Sequence, residues 1–258
     1  MLHSVPTRIV SLVPSQTELL YHLGLADEVV GITKFCVHPA EWFKSKTRVG
    51  GTKTVDVNKV RSLQPDLIIA NKEENVKEQV ELLQQIAPIY LSDINNLEDA
   101  LVMISTIGDL TNTSSQANSL ITEIEQQFKG LSTLISRRST QITTAYLIWK
   151  DPYMAAGGET FINDMLRRCG LKNVFEAVPR YPEVTLKQLS EANCQLLLLS
   201  SEPYPFKQKH IREIQEQLPH TKILLADGEM FSWYGSRLLQ APPYFSKLID
   251  GFTVNSYI

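Results

Sequence analysis

Residues 55–70 lie over residues 184–199 without a gap. The two segments, Val55-Asp-Val-Asn-Lys-Val-Arg-Ser-Leu-Gln-Pro-Asp-Leu-Ile-Ile-Ala70 and Val184-Thr-Leu-Lys-Gln-Leu-Ser-Glu-Ala-Asn-Cys-Gln-Leu-Leu-Leu-Leu199, share one plan. Each opens on a short capped helix, passes through a turn and ends in an all-apolar strand. A strand without polar alternation is buried on both faces, which marks a parallel sheet covered by helices. After each copy come a polar loop, another helix and a further strand, Ile89–Leu91 in the first half and Ile223–Ala226 in the second. A chain that writes this pattern twice folds as two related α/β lobes.

The remaining segments fit that frame. Arg8–Val13, Glu28–Thr33, Leu67–Ala70, Pro88–Leu91 and Thr143–Trp149 read as strands. Ser15-Gln-Thr-Glu18 reads as a capping box opening a helix that closes at Gly24. Phe161–Arg168 reads as a helix with two arginines in its last turn and Gly170 after it. Between the two copies, apolar residues recur at Ala117, Leu120, Ile121, Ile124, Phe128, Leu131, Leu134 and Ile135. Steps of three and four predict one amphipathic helix over 114–138, roughly 37 Å long at 1.5 Å per residue, with Gly130 as its weak spot. It is either one long core helix or a rigid strut joining the lobes. The expected organisation is an N-terminal α/β lobe over 1–110, a connecting helix over 111–139 and a C-terminal α/β lobe over 140–258.

Composition narrows the function classes. The 25 Lys and Arg against 28 Asp and Glu show no basic excess for nucleic acid or an anionic membrane. No apolar run approaches the roughly 18–20 residues that cross a bilayer. The three cysteines, Cys36, Cys169 and Cys194, are odd in number and far apart, so each reads as an ordinary buried thiol. The N-terminus shows no basic region followed by an apolar stretch and a cleavage site, so it reads as lacking a secretory signal. The expectation is a cytosolic chain, export by another route, or a missing true start.

Ligands of parallel sheets sit outside the carboxyl ends of the strands. The loops there are rich in aromatic residues: Phe35, Trp42, Trp149, Tyr153, Tyr181, Tyr204, Phe206, Phe231, Trp233 and Tyr234. Rings offer contact area at low entropy cost and suit a large flat ligand. About half of the set is expected to touch ligand, while the others pack loops onto the lobes.

Arg8-Ile-Val-Ser-Leu-Val-Pro-Ser-Gln-Thr-Glu-Leu resembles the opening of the class III substrate-binding proteins of ABC importers. The similarity continues at Leu63–Ala70, Gly157–Ile162 and Glu229–Arg237 and extends over essentially the whole chain; it is strongest toward the cobalamin-binding members. The resemblance implies two parallel-sheet α/β lobes joined by a single long backbone helix, with a metal chelate held in the cleft between them. Corrinoid is the leading ligand, with haem and ferric siderophore as rivals. The expected ligand-binding residues are Phe35, His38, Trp149, Tyr153, Phe231, Trp233 and Tyr234. His38, in Cys36-Val-His38-Pro39, is also a rival axial ligand to a bound metal centre. No catalytic residue, resident metal or cofactor is expected.

The family also docks on its permease through one acidic residue per lobe. The internal alignment pairs Asn71 with Ser200 and therefore Glu73 with Glu202, which become the expected docking carboxylates; Glu74 and Glu78 are rivals on the first lobe. Action outside the cytoplasm is what the resemblance implies, against the reading of the N-terminus, and the chain is expected to be a monomer. Two other functions compete. A tetrapyrrole metal chelatase shares a two-lobed plan, but His22, His38, His210 and His220 are scattered without evident partners. A bare divalent-ion binder needs three or four converging ligands, and only His38, Asp56, Asp151 and Asp227 qualify. No GxGxxG, GxxxxGK[ST], GxSxG or HExxH motif is present. An anionic siderophore would call on Lys34, Lys53, Lys72, Lys150, Arg180 and Arg237.

Overall fold

Strands and helices alternate through a computed structural model that describes residues 4–137 and 141–253. The chain divides into two units. The first contains Met1–Ile94, Glu98–Ile124 and Tyr234–Arg237; the second contains Asn95–Leu97, Glu125–Trp233 and Leu238–Ile258.

In the first unit the order is β1 (Ile9–Ser11), α1 (Pro14–His22), β2 (Val29–Ile32), α2 (Ala40–Ser45), β3 (Thr47–Arg48), β4 (Gly50–Gly51), β5 (Thr54–Val55), α3 (Val57–Ser62), β6 (Leu67–Asn71), α4 (Lys77–Leu83) and β7 (Ile89–Ser92). The sheet runs β3-β2-β1-β6-β7, and every pairing in it is parallel. β4 and β5 form a separate antiparallel pair. Val10, Leu12, Val60, Ile68, Ala70 and Leu83 belong to one buried cluster of this unit. The helix α1 differs from the expected one. Pro14 occupies its first turn and Val13 its N-cap, with no side-chain cap. Proline's fixed φ is already helical and its missing N–H is no loss there, so the helix starts one residue before Ser15. Glu18 is therefore not a capping-box residue. Gly24 closes the helix at φ +84°, a left-handed conformation that favours glycine.

Two helices follow, α5 (Leu97–Leu110) and α6 (Ser114–Ile135). The helix α6 runs through Gly130 without a break, with Ala117, Leu120, Ile124, Phe128 and Leu131 buried. Its first half counts with the first unit and its second half with the second. Leu134 is exposed rather than buried, and residues 138–140 at the end of the expected helix lie outside the described residues.

The second unit continues with β8 (Ile142–Trp149), β9 (Met154–Ala155), α7 (Phe161–Arg168), β10 (Leu171–Asn173), α8 (Leu186–Glu191), β11 (Leu196–Ser200), α9 (Gln208–Gln215), β12 (Lys222–Ala226), α10 (Gly228–Ser232), a short 3-10 turn (Ser236–Leu239) and α11 (Ala241–Thr253). Its sheet runs β10-β8-β11-β12 in parallel, with β9 antiparallel to β8. The repeat read from the sequence is realised in detail. Asp56 caps α3 and Thr185 caps α8 through their side chains. The strands β6 and β11 are buried at all five positions. Each then turns on a polar side chain: Asn71 Oδ1 accepts the Glu73 N–H at 2.9 Å, and Ser200 Oγ accepts the Glu202 N–H at 3.3 Å.

Candidate functional site

In the first sheet the chain builds outward from β1 on one side and from β6 on the other. In the second sheet it does so from β8 and β11. Such reversals leave a crevice at the carboxyl ends of the two central strands, where ligands of open α/β sheets bind. Each unit therefore presents one face on which to look for function.

On the first face, Ser11 ends β1, Asn71 ends β6 and Ser92 ends β7, all three buried. Asn71 Nδ2 donates to Ser92 Oγ at 3.1 Å, and Gln16 Nε2 donates to the same oxygen at 2.6 Å. Thr17 Oγ1 donates to Ser11 Oγ at 2.8 Å and also meets Cys36 Sγ at 3.1 Å. Burial pushes the Cys36 thiol above its ordinary range, as it does for Cys169 and Cys194, and all three are free. Phe35 is 51% exposed, with Lys34 Nζ 5.1 Å from its ring centre. His38 is half-buried just before α2.

The segment Tyr234–Arg237 returns to this unit from the far end of the sequence. Arg237 grips Glu18 with two bonds, Nε to Oε2 at 3.0 Å and Nη2 to Oε1 at 2.7 Å. Gly235 sits at φ +126°, and a Cβ there would come within 3.2 Å of the Ser15 carbonyl oxygen. Only glycine lets the segment lie so close on the first turn of α1. Tyr234, beside it, is buried.

On the second face, Trp149 ends β8 and is 40% exposed, edge-on to Tyr204 at 5.7 Å. Tyr204 in turn meets Phe206 at 4.7 Å and His210 at 5.5 Å. Tyr153 is half-buried against the core of the unit, and burial raises its phenol pKa. Phe231 is placed differently from its expected role. Its ring is fully buried among Tyr146, Tyr244 and Phe245, at 4.9, 6.3 and 4.7 Å. It lies on α10 rather than in a loop, so it is a core residue and leaves the candidate site.

Trp233 is buried, and its indole N–H donates to Glu202 Oε1 at 2.8 Å; the Ser232 hydroxyl donates to the same oxygen at 2.9 Å. Burial pushes the Glu202 carboxyl above the usual carboxylate range, the Ser232 and Trp233 bonds oppose that shift, and Glu229 and Asp227 add to it. One oxygen of Glu202 is thus turned onto the indole, while the residue as a whole is half-buried. Glu73 is half-buried in the turn after β6.

The cations expected to serve an anionic siderophore are largely engaged within the chain. Lys72 pairs with Asp93 at 2.7 Å, Lys150 with Glu213 at 2.5 Å and Arg237 with Glu18. Arg180 donates to the Asn95 side chain and the Glu159 carbonyl. Among the described residues no three His, Cys, Asp or Glu side chains come together as a metal-holding group. The sequence reading missed the polar network of Gln16, Asn71 and Ser92 and the Glu18–Arg237 pair. The available signal was polar residues at the ends of otherwise apolar strands, as in Ile-Ile-Ala-Asn71 and Tyr-Leu-Ser92.

Two parallel α/β units linked by a long helix, with aromatic rings at the carboxyl ends of both sheets, define a solute-binding protein. The family profile described as periplasmic binding protein matches residues 9–221, and the chain belongs to that family. It is a family of substrate-binding proteins of ABC transporters, not of enzymes. The vitamin B12-binding protein of Pectobacterium carotovorum is 22% identical over 242 residues, covering 93% of this chain and 87% of that one. The crystal structure of the periplasmic vitamin B12 binding protein of Vibrio cholerae superposes with a TM-score of 0.80 at 20% identity, covering 95% and 97% of the two chains. The periplasmic haem-binding protein of Roseiflexus sp. RS-1, in its apo form, gives the same TM-score at 19% identity over 93% and 98%.

Proposed function

We propose that this chain is the substrate-binding protein of an ABC importer that captures a metal chelate, a corrinoid ahead of haem or a ferric siderophore. Phe35, His38, Trp149 and Tyr153 form the proposed ligand-binding set; Trp233 and Tyr234, expected there as well, are buried as Phe231 is. One observation carries the ranking of ligands. Exposed rings, Phe35 and Trp149, stand at the carboxyl ends of the two sheets, while Lys72, Lys150 and Arg237 are already matched by carboxylates. That surface favours a large ring system of low charge over the propionates of haem or an anionic siderophore. The related B12-binding proteins agree in chemistry. The protein acts as a monomer outside the cytoplasm in this reading.

The test is titration with cyanocobalamin, haemin and a ferric hydroxamate, followed by tryptophan fluorescence. Cyanocobalamin is expected to quench and to bind with Kd of about 1 μM or tighter, near −8 kcal/mol. Haemin and the hydroxamate should bind at least tenfold more weakly. Trp149→Ala should weaken cyanocobalamin by about 1–3 kcal/mol. Tighter saturable binding of haemin, or no response to cyanocobalamin, reverses the ranking.

Permease docking is proposed for Glu73 on the first unit. Glu202, the other carboxylate of the aligned pair, is better explained by its bonds to Ser232 and Trp233. Glu73→Lys should leave ligand affinity within twofold and abolish uptake by cells carrying the transporter. Glu202→Lys should instead lower the melting temperature, because it sets an ammonium against two hydrogen-bond donors. Normal uptake with Glu73→Lys would remove Glu73 from docking.

A further inference from the structure

Three buried oxygens near the first turn of α1 have no hydrogen-bond partner among the described residues: Ser15 Oγ, Gln16 Oε1 and Ser236 Oγ. All three residues are more than nine-tenths buried, at 3%, 0% and 7% exposed. They share one neighbourhood. Ser15 and Gln16 lie in the first turn of α1, and Ser236 follows Gly235, whose backbone rests on the Ser15 carbonyl. An unpartnered polar group is expensive in a protein interior, so three together point to something that completes them.

The chemistry of what completes them follows from the direction of each group. Asn71 Oδ1 accepts the N–H groups of Glu73 and Glu74, at 2.9 and 3.3 Å, which turns Asn71 Nδ2 toward Ser92 Oγ. The Ser92 hydroxyl hydrogen is committed to the Ala70 carbonyl at 3.1 Å. Ser92 Oγ therefore receives its remaining bond, and Gln16 must present nitrogen to it, as it does at 2.6 Å. That leaves Gln16 Oε1 as a fixed acceptor with no rotation open to make it a donor. Donors lie in the same neighbourhood: the hydroxyls of Ser15 and Ser236, and the N–H groups of Ser15 and Gln16, which as first-turn groups of α1 have no intrahelical acceptor and no side-chain cap. An acceptor and donors left unsatisfied in one neighbourhood match a primary carboxamide, whose N–H would meet Gln16 while its C=O would take a donor. A carboxylate satisfies the donors and is repelled by the Gln16 oxygen.

We infer that Gln16, with Ser15 and Ser236, receives a side-chain carboxamide of the ligand and selects amide-bearing ligands over their carboxylate counterparts. The inference rests on the corrinoid reading above, since the corrin periphery carries primary amides, and it adds the residue that discriminates among corrinoids. The experiment compares cyanocobalamin with the three monocarboxylic acids made by hydrolysing one of its side-chain amides. Binding is measured to the wild-type chain, to Gln16→Met and to Gln16→Glu, after a melting curve on each. The wild type should bind cyanocobalamin at least tenfold more tightly than one of the acids. Gln16→Met, similar in shape but without the acceptor, should bring that ratio below threefold. Gln16→Glu keeps an acceptor oxygen and adds charge, so its ratio should exceed the wild-type value; it also decides the matter if Gln16→Met does not fold. Equal affinity of the wild type for the amide and all three acids, or a wild-type ratio in whichever variant folds, overturns the inference and leaves the corrinoid reading standing. Failure of the wild type to bind any of the four compounds overturns that reading and this inference with it.

Discussion

Arg237→Ala should destabilise the chain by about 3–5 kcal/mol, the range for breaking a buried ion pair from one side. Both partners are shielded: the Arg237 side chain is 9% exposed and the Glu18 side chain 17%. The pair is bidentate, at 3.0 and 2.7 Å, which an ammonium cannot reproduce, so Arg237→Lys should recover only part of the loss. The size of the effect comes from what remains behind. The Glu18 carboxylate is left largely shielded from water with its partner gone, and the segment Tyr234–Arg237 loses the bond that fastens it on α1. For a chain of this length a loss of about 3 kcal/mol lowers the melting temperature by roughly 10 °C. Thermal unfolding checks it, and the double variant Glu18→Leu with Arg237→Met supplies the control. With neither charge left to solvate, the double variant should be markedly more stable than Arg237→Ala. A loss below about 1 kcal/mol in Arg237→Ala would place the pair among ordinary surface ion pairs.

That pair also shows where sequence reading stops. Glu18 lies three residues after Ser15, and local rules assign such a glutamate to a capping box. Its actual partner is 219 positions away, and nothing in a local window announces it. Pro14 carried the correct local signal, since a proline in the first turn outweighs a serine that would have to cap from within the helix. By contrast the repeat was fully legible. Capping, a turn and a run of apolar residues are each local, and β6 and β11 emerge at corresponding places in two parallel sheets. The helix of residues 161–168 is equally local, with Thr160 accepting the Asn163 N–H at its start and two arginines in its last turn.

The candidate site was legible only where its residues are conspicuous. Trp149 and Phe35 stand out by ring size and by position after apolar strands, and both are exposed. Phe231 has the same sequence signature and is core, because α10 turns its ring inward among Tyr146, Tyr244 and Phe245. Exposure of an aromatic residue depends on what packs beside it in space, which spacing alone does not reveal. Gln16, Ser92 and Ser236 were passed over for the opposite reason. Serine and glutamine are common everywhere, and their meaning here arises from a hydrogen-bond ledger that needs three dimensions to write.

Asp164→Ala should be comparably damaging, again about 3–5 kcal/mol. The Asp164 side chain is 5% exposed and accepts from three donors: Arg167, Arg168 Nε at 2.7 Å and the Leu97 backbone N–H at 2.9 Å. Leu97 is the first residue of α5, so the carboxylate satisfies a backbone N–H that has no intrahelical acceptor. Alanine would take from the Leu97 N–H its carboxylate acceptor and from the half-buried Arg168 its bond to that carboxylate. Burial alone raises the Asp164 carboxyl, but the bonds from Arg168, Arg167 and Leu97 more than offset it and hold it below the usual carboxylate value of 3.8. The sign of the pH dependence follows. A depressed folded-state pKa stabilises the protein above the unfolded-state value and ceases to do so as pH falls through the folded one. The gap in unfolding free energy between wild type and Asp164→Ala should therefore be constant from pH 7 down to about 5 and narrow below about 4. Asp164→Asn, which keeps one acceptor oxygen and loses the charge, should fall between the two. Chemical denaturation at stepped pH reads all three, and a gap that widens on acidification would show that the carboxylate is not ionised in the folded protein.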